Sequence, residues 1–84
     1  MSGLPAIKYR ILSHFIRNLG YELQRVEGSH EQYFLKSHIC GDGNLTIVRK
    51  PGEIPRGTLM SVLKDISQHT GIPVAQLKEM LNTE

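Results

Sequence analysis

Two glycine-bearing breaks set the terms for the middle of this chain. Gly28-Ser29 and Gly41-Asp42-Gly43 divide residues 21–50 into Tyr21–Glu27, His30–Lys36 and Asn44–Lys50, each short and in part aromatic or β-branched. Segments of this kind, punctuated by turn residues, predict a three-stranded antiparallel meander. Before it, Leu12, Phe15, Ile16 and Leu19 recur at i, i+3, i+4 and i+7, the spacing of one helical face. Pro5 suits the first turn and Gly20 the left-handed C-terminal cap, so a helix is expected from about Pro5 to Leu19. After the meander, Thr58 is placed as an N-cap ahead of Leu59, Val62, Leu63 and Ile66. A break at Thr70-Gly71 precedes a shorter helix opened by Pro73.

The expected class is α+β, in the order α-β-β-β-α with an extra C-terminal helix. Residues 1–84 are read as one domain, its core at about 5–68 and the added helix at about 73–82. At 84 residues and 39% apolar composition, the chain supports a thin two-layer core but not a deep enclosed cavity, which excludes enzymes that engulf a large cofactor. Helices at both ends of a meander cover one face of the sheet and leave the other to water.

Charge and cysteine content narrow the classes further. Ten Lys and Arg against eight Asp and Glu leave a formal charge of +2, so contact with nucleic acid would depend on local clustering of cations. Cys40 stands alone, which excludes an intramolecular disulfide and a multi-thiolate zinc site, and the four His lack the paired spacing of metal ligands. No metal and no cofactor are expected. Lys8, Arg10, His14 and Arg17 interrupt the apolar residues between Ile7 and Leu19, so this stretch is read neither as a signal-peptide core nor as a membrane span. A soluble protein of the reducing cytoplasm, without a membrane partner, is the expectation.

The chemistry centres on Gly28-Ser29-His30. His30 emerges at the start of a strand, next to a tight turn and outside any apolar run, where solvent reaches the imidazole. A histidine titrating near neutrality is suited to general acid or base work. His14, His38 and His69 are read as surface histidines with no catalytic part.

Read with its neighbours, the turn carries a pattern: Leu19-Gly20-Tyr21, Gly28-Ser29-His30-Glu31, Leu45-Thr46-Ile47-Val48, Ile54-Pro55-Arg56-Gly57-Thr58-Leu59 and Ser61-Val62-Leu63-Lys64. In order and spacing this resembles the HicA toxin family over about Leu12 to Ile66. The resemblance implies a double-stranded-RNA-binding-domain-like fold. It also implies a toxin of a type II toxin–antitoxin pair that cleaves mRNA as a ribosome-independent endoribonuclease, using the histidine of the Gly-Ser-His turn. On this chain that residue is His30. A HicB-like antitoxin is the implied partner and mRNA the implied substrate. Two departures stand out: many members of the family have a second His where this chain has Glu31, and a Pro-x-His at the end of the third strand, where this chain has Arg49-Lys50-Pro51.

Metal-independent RNA cleavage needs a base near the 2′-hydroxyl, an acid near the leaving 5′-oxygen, and cations around the phosphorus. His30 is assigned the proton transfer. Lys36, Arg49, Lys50 and Arg56 are the cations expected to hold phosphates, and Ser29 is grouped with them as substrate-binding. If the second strand is regular, His30, Gln32, Phe34 and Lys36 share one face and Glu31, Tyr33 and Leu35 the other, which favours Lys36 over Glu31 as a companion of His30. Tyr33 and Phe34 are candidates for base stacking, with core packing the expected use of at least one. Ser29 is not read as a nucleophile, because no carboxylate is placed to complete a triad and turn hydrogen bonding explains a serine there. A non-catalytic double-stranded-RNA-binding module is the alternative function. Residues 61–81 also have the outline of a helix-turn-helix, but at the start of its second helix only Gln76 and Lys78 are suited to DNA contact. The open face is expected to combine His30 with a local excess of cations, and the antitoxin to occlude it by presenting carboxylates to some of Lys36, Arg49, Lys50 and Arg56.

Overall fold

The computed structural model describes residues 6–82. They form α1 (Tyr9–Asn18), β1 (Glu22–Glu27), β2 (His30–Phe34), β3 (Asn44–Val48), α2 (Arg56–Thr70) and α3 (Val74–Asn82), the expected order. The strands make one antiparallel sheet in the order β1-β2-β3.

The helical stripes bury as their spacing requires. Leu12, Phe15 and Ile16 from α1 and Leu59, Val62, Leu63 and Ile66 from α2 lie in the core, with Leu19 partly buried beside them. They pack against one face of the sheet, to which β2 contributes Tyr33 and β3 contributes Leu45 and Ile47. Leu77 and Leu81 of α3 complete this core. Each such aliphatic side chain contributes about 1.5–3 kcal/mol relative to its exposed state, so the layer rests on these stripes rather than on helix propensity.

Helix ends differ from the expected positions. Residues 7 and 8 are extended instead of helical: Lys8 bridges Glu53, and the Ile54 amide donates to the Ile7 carbonyl at 2.8 Å. This pairing claims the backbone that a longer helix would use, so α1 begins at Tyr9; Pro5 lies outside the described residues. Thr58 is not the N-cap of α2. Pro55 takes that position with φ −56° and ψ 142°, and its carbonyl accepts the first helical bond from the Leu59 amide at 2.9 Å, leaving Thr58 in the first turn. Gly20, at φ +110°, follows the C-cap Leu19 and turns the chain into β1.

The sheet is also covered less evenly than a simple two-layer arrangement requires. Every residue of β1 is exposed. A bulge between Leu23 and Arg25 lets Leu23 and Val26 both face the helix side, opposite Tyr33 and Glu31, yet they remain 37% and 55% exposed. The helices therefore shield β2 and β3 but stop short of β1.

Candidate functional site

The two-residue connection Gly28-Ser29 fixes where His30 emerges. Gly28 takes φ +59° while Ser29 does not enter the positive-φ region, the φ pattern of a type II′ hairpin turn, whose first position favours glycine. His30 then opens β2, exposed, directly opposite Glu27 on one side and Val48 on the other. Side chains alternate as expected along β2: His30, Gln32 and Phe34 face the open side, while Glu31 and Tyr33 are buried. His30 makes no side-chain hydrogen bond among the described residues, so its nitrogens are available to a ligand.

Glu31, the next residue, is its opposite in every respect. It is 7% exposed and accepts bonds from Tyr33 Oη at 2.7 Å, Arg49 Nη1 at 2.8 Å and, more weakly, Ser13 Oγ at 3.4 Å. Burial alone pushes the Glu31 carboxyl up, but these bonds and the Arg49 charge outweigh it and hold the group below its ordinary value. Tyr33 moves the other way, raised by burial and by the bond it donates to Glu31. Glu31 is thus an ionised organiser of packing, on the face of the sheet away from His30. Phe34, not Tyr33, is the aromatic left on the open side, where its ring meets His38 edge-on at 5.6 Å.

The expected substrate-binding residues divide by position. The Ser29 carbonyl accepts the Arg49 amide at 2.7 Å, so Ser29, His30 and the backbone of Arg49 meet at one end of the sheet. Lys50 follows at that end, but the Arg49 side chain turns back to Glu31 on the helix side. Arg56 opens α2, whose first turn has no side-chain cap and no acidic residue. Its neighbours Gly57 and Thr58 share a cleft of about 350 Å³ with Thr46 and Val48 along the free edge of β3. The first amides of α2 have no intrahelical acceptor and carry the positive end of the helix dipole, which places a favourable field for anions one strand away from His30. Lys36 does not join this group. It lies beyond β2 in the following turn, six residues from His30, which at about 3.3 Å per residue is roughly 20 Å away at the far end of the sheet.

Two residues not singled out from sequence do join it. Glu27 stands opposite His30, and Arg25 stands opposite Gln32 on the same open face, the two forming an exposed ion pair at 2.7 Å. With Glu22 opposite Phe34, the strands' open face carries two carboxylates and one guanidinium, and not the expected excess of cations. The hairpin spacing would have pointed to Glu27; Arg25 follows from the register around the bulge.

The other histidines hold structure. His69 is not a surface residue but 6% exposed, and its Nδ1 shares a hydrogen bond of 2.7 Å with the Tyr21 hydroxyl. Burial, with the Asp65 charge behind it, raises Tyr21 far enough to keep that hydroxyl protonated. His38 Nδ1 donates to the Leu35 carbonyl at 2.8 Å. Among the described residues no group of three or more His, Cys, Asp or Glu side chains is gathered as a metal site, and no helix is long and apolar enough to cross a membrane.

A family model described as the HicA toxin of bacterial toxin–antitoxin systems matches residues 10–67, which includes the Gly-Ser-His turn and the start of α2 and ends before α3. Comparisons with curated proteins and with solved structures find no match. With the expected element order and an exposed His30 at the turn, the match is sufficient: this chain belongs to the HicA toxin family and is a toxin of a toxin–antitoxin system, which implies a cognate antitoxin.

Proposed function

We propose that this toxin is a metal-independent endoribonuclease that cleaves mRNA, with His30 as the proton-transfer group. The observation that carries the reading is the contrast at the hairpin: His30 is exposed and uncommitted on the open face, while every other ionisable side chain in β2 is buried. In such cleavage a 2′-hydroxyl attacks the adjacent phosphorus and loses its proton, and the 5′-oxygen leaves and gains one. His30 fills one of these roles, worth about 10²–10⁴ in rate. Lys50, Arg56 and the α2 N-terminus supply the surrounding positive charge; Ser29 and Arg49 fix the turn. Glu31 does not replace a second catalytic histidine, because it is aimed at the opposite side and bound there.

A HicB-like antitoxin, encoded next to the toxin, blocks RNA from His30. Expression of the chain alone is expected to arrest growth and degrade mRNA, and co-expression with the adjacent gene's product to restore growth. Purified chain is expected to cut RNA in EDTA as fast as with Mg²⁺. Activity that vanishes with chelator and returns with metal overturns the mechanism, and growth arrest with intact mRNA overturns the substrate.

A further inference from the structure

The RNA reading meets a difficulty on the open face. A polyanion bound at His30 needs cations nearby, and the strands there carry Glu22 and Glu27 against Arg25. The cations are gathered elsewhere. On the far side of the same sheet end, Arg10, Ser13, His14, Arg17 and Arg49 line a cleft of about 220 Å³ between α1 and the end of β3.

Its construction is specific. Arg10, His14 and Arg17 stand at i, i+4 and i+7, one exposed stripe of α1, and the two arginines are about 10 Å apart along its axis. Neither Arg10 nor Arg17 is in an ion pair among the described residues. Arg49 is held by Glu31 through one nitrogen, and half its side chain remains exposed, so most of its donor fork still faces the cleft. Glu31 is in turn fixed by Tyr33 and Ser13. Three guanidinium groups line one concavity, and among the described residues only Arg49 is paired with a carboxylate, the buried Glu31, which leaves an excess of two positive charges.

The cleft also communicates with His30. Glu31 follows His30 directly, and Arg49 follows Val48, the cross-strand partner of His30, while its amide binds Ser29. A strand of RNA leaving His30 over the short Gly28-Ser29 turn therefore reaches Arg49 first and the α1 arginines next.

We infer that this cleft is a phosphate subsite, in which Arg10, Arg17 and Arg49 hold the RNA backbone as it passes around the turn end of the sheet. The inference rests on the endoribonuclease reading and supplies the cations that the open face lacks. Guanidinium forks match phosphate oxygens in pairs, and backbone contacts of this kind position a strand without reading its sequence.

The test is the salt dependence of binding to a random-sequence RNA of about 12 nucleotides, 2′-O-methylated so that it is not cut, measured by fluorescence anisotropy on the full chain. The double variant Arg10→Gln/Arg17→Gln is expected to bind about tenfold more weakly, and its slope of log K against log salt should flatten by about 1.4, two contacts at about 0.7 each. Arg10→Lys/Arg17→Lys should keep the slope. Both side chains are exposed, so an unchanged melting curve accompanies either change. Equal affinity and slope for parent and Gln variant overturn the subsite alone. A parent that binds no RNA overturns both the subsite and the reading beneath it. Loss of antitoxin binding by the Gln variant with RNA affinity intact also overturns it, by assigning the cleft to a protein surface.

Discussion

The two ends of the sheet use the same kinds of side chain to opposite effect. At the turn end, the His30 side chain is exposed and makes no hydrogen bond among the described residues, and Arg49, at the end of β3, lines a cleft on the helix side together with Arg10 and Arg17. At the loop end, His69 is buried against Tyr21, His38 is bound to the Leu35 carbonyl, and the Ile39 amide ties the β2–β3 loop to the His69 carbonyl at 2.8 Å. Both ends hold histidine close to a turn. What separates them is whether folding consumes the polar atoms: the loop end spends its imidazoles on closing the loop, and the turn end spends a carboxylate instead, so that His30 stays available.

Glu31 is the strongest lever on that comparison. Replacing it with Ala leaves the buried Tyr33 hydroxyl without its acceptor and Arg49 without its anchor, which should cost about 2–3 kcal/mol, read as a lower midpoint in urea unfolding. A variant as stable as the parent would show that the cluster is ornamental. His69→Phe tests the other end: the Tyr21 hydroxyl loses its hydrogen-bond partner, at a cost of about 1–2 kcal/mol, while the cleavage rate of the folded fraction stays at the parent's value. A selective loss of rate without loss of stability would blur the distinction between the ends.

A pH series sharpens the role assigned to Glu31. Folding lowers its pKa, so its contribution to stability is fully present above the unfolded value of about 4.5 and is lost as pH falls through the folded value. Melting temperatures of the parent should therefore decline below about pH 4.5, and those of Glu31→Gln should decline less over the same window. The smallest effect is expected from Lys36→Ala. At roughly 20 Å from His30 it should change cleavage by no more than about twofold.

Much of this layout was legible in the residues. The stripe Leu12, Phe15, Ile16 had only one buried orientation available, and period-two alternation separated His30 from Glu31 once the Gly28-Ser29 turn started the strand. The illegible parts depend on partners distant in sequence. Thr58 has the chemistry of a cap, but the pairing of residues 7–8 with 53–54 and the fixed backbone of Pro55 start both helices elsewhere. Arg49 looked like a phosphate ligand beside His30, and only the strand register shows its side chain bound to a residue 18 positions away. Both Glu31 and Arg49 fall where the chain departs from the HicA pattern, and they bind each other. Arg10 and Arg17 read as interruptions of an apolar stretch, since a helix stripe reveals a cleft only after the element packed beside it is known.

The most direct measurement of the central claim is the single-turnover rate at which purified His30→Ala cuts RNA in EDTA, compared with the parent at matched folded concentration. The prediction is a fall of at least roughly 10²-fold with an unchanged melting temperature, because the His30 side chain is exposed and makes no hydrogen bond among the described residues. A folded His30→Ala that cuts as fast as the parent would contradict it.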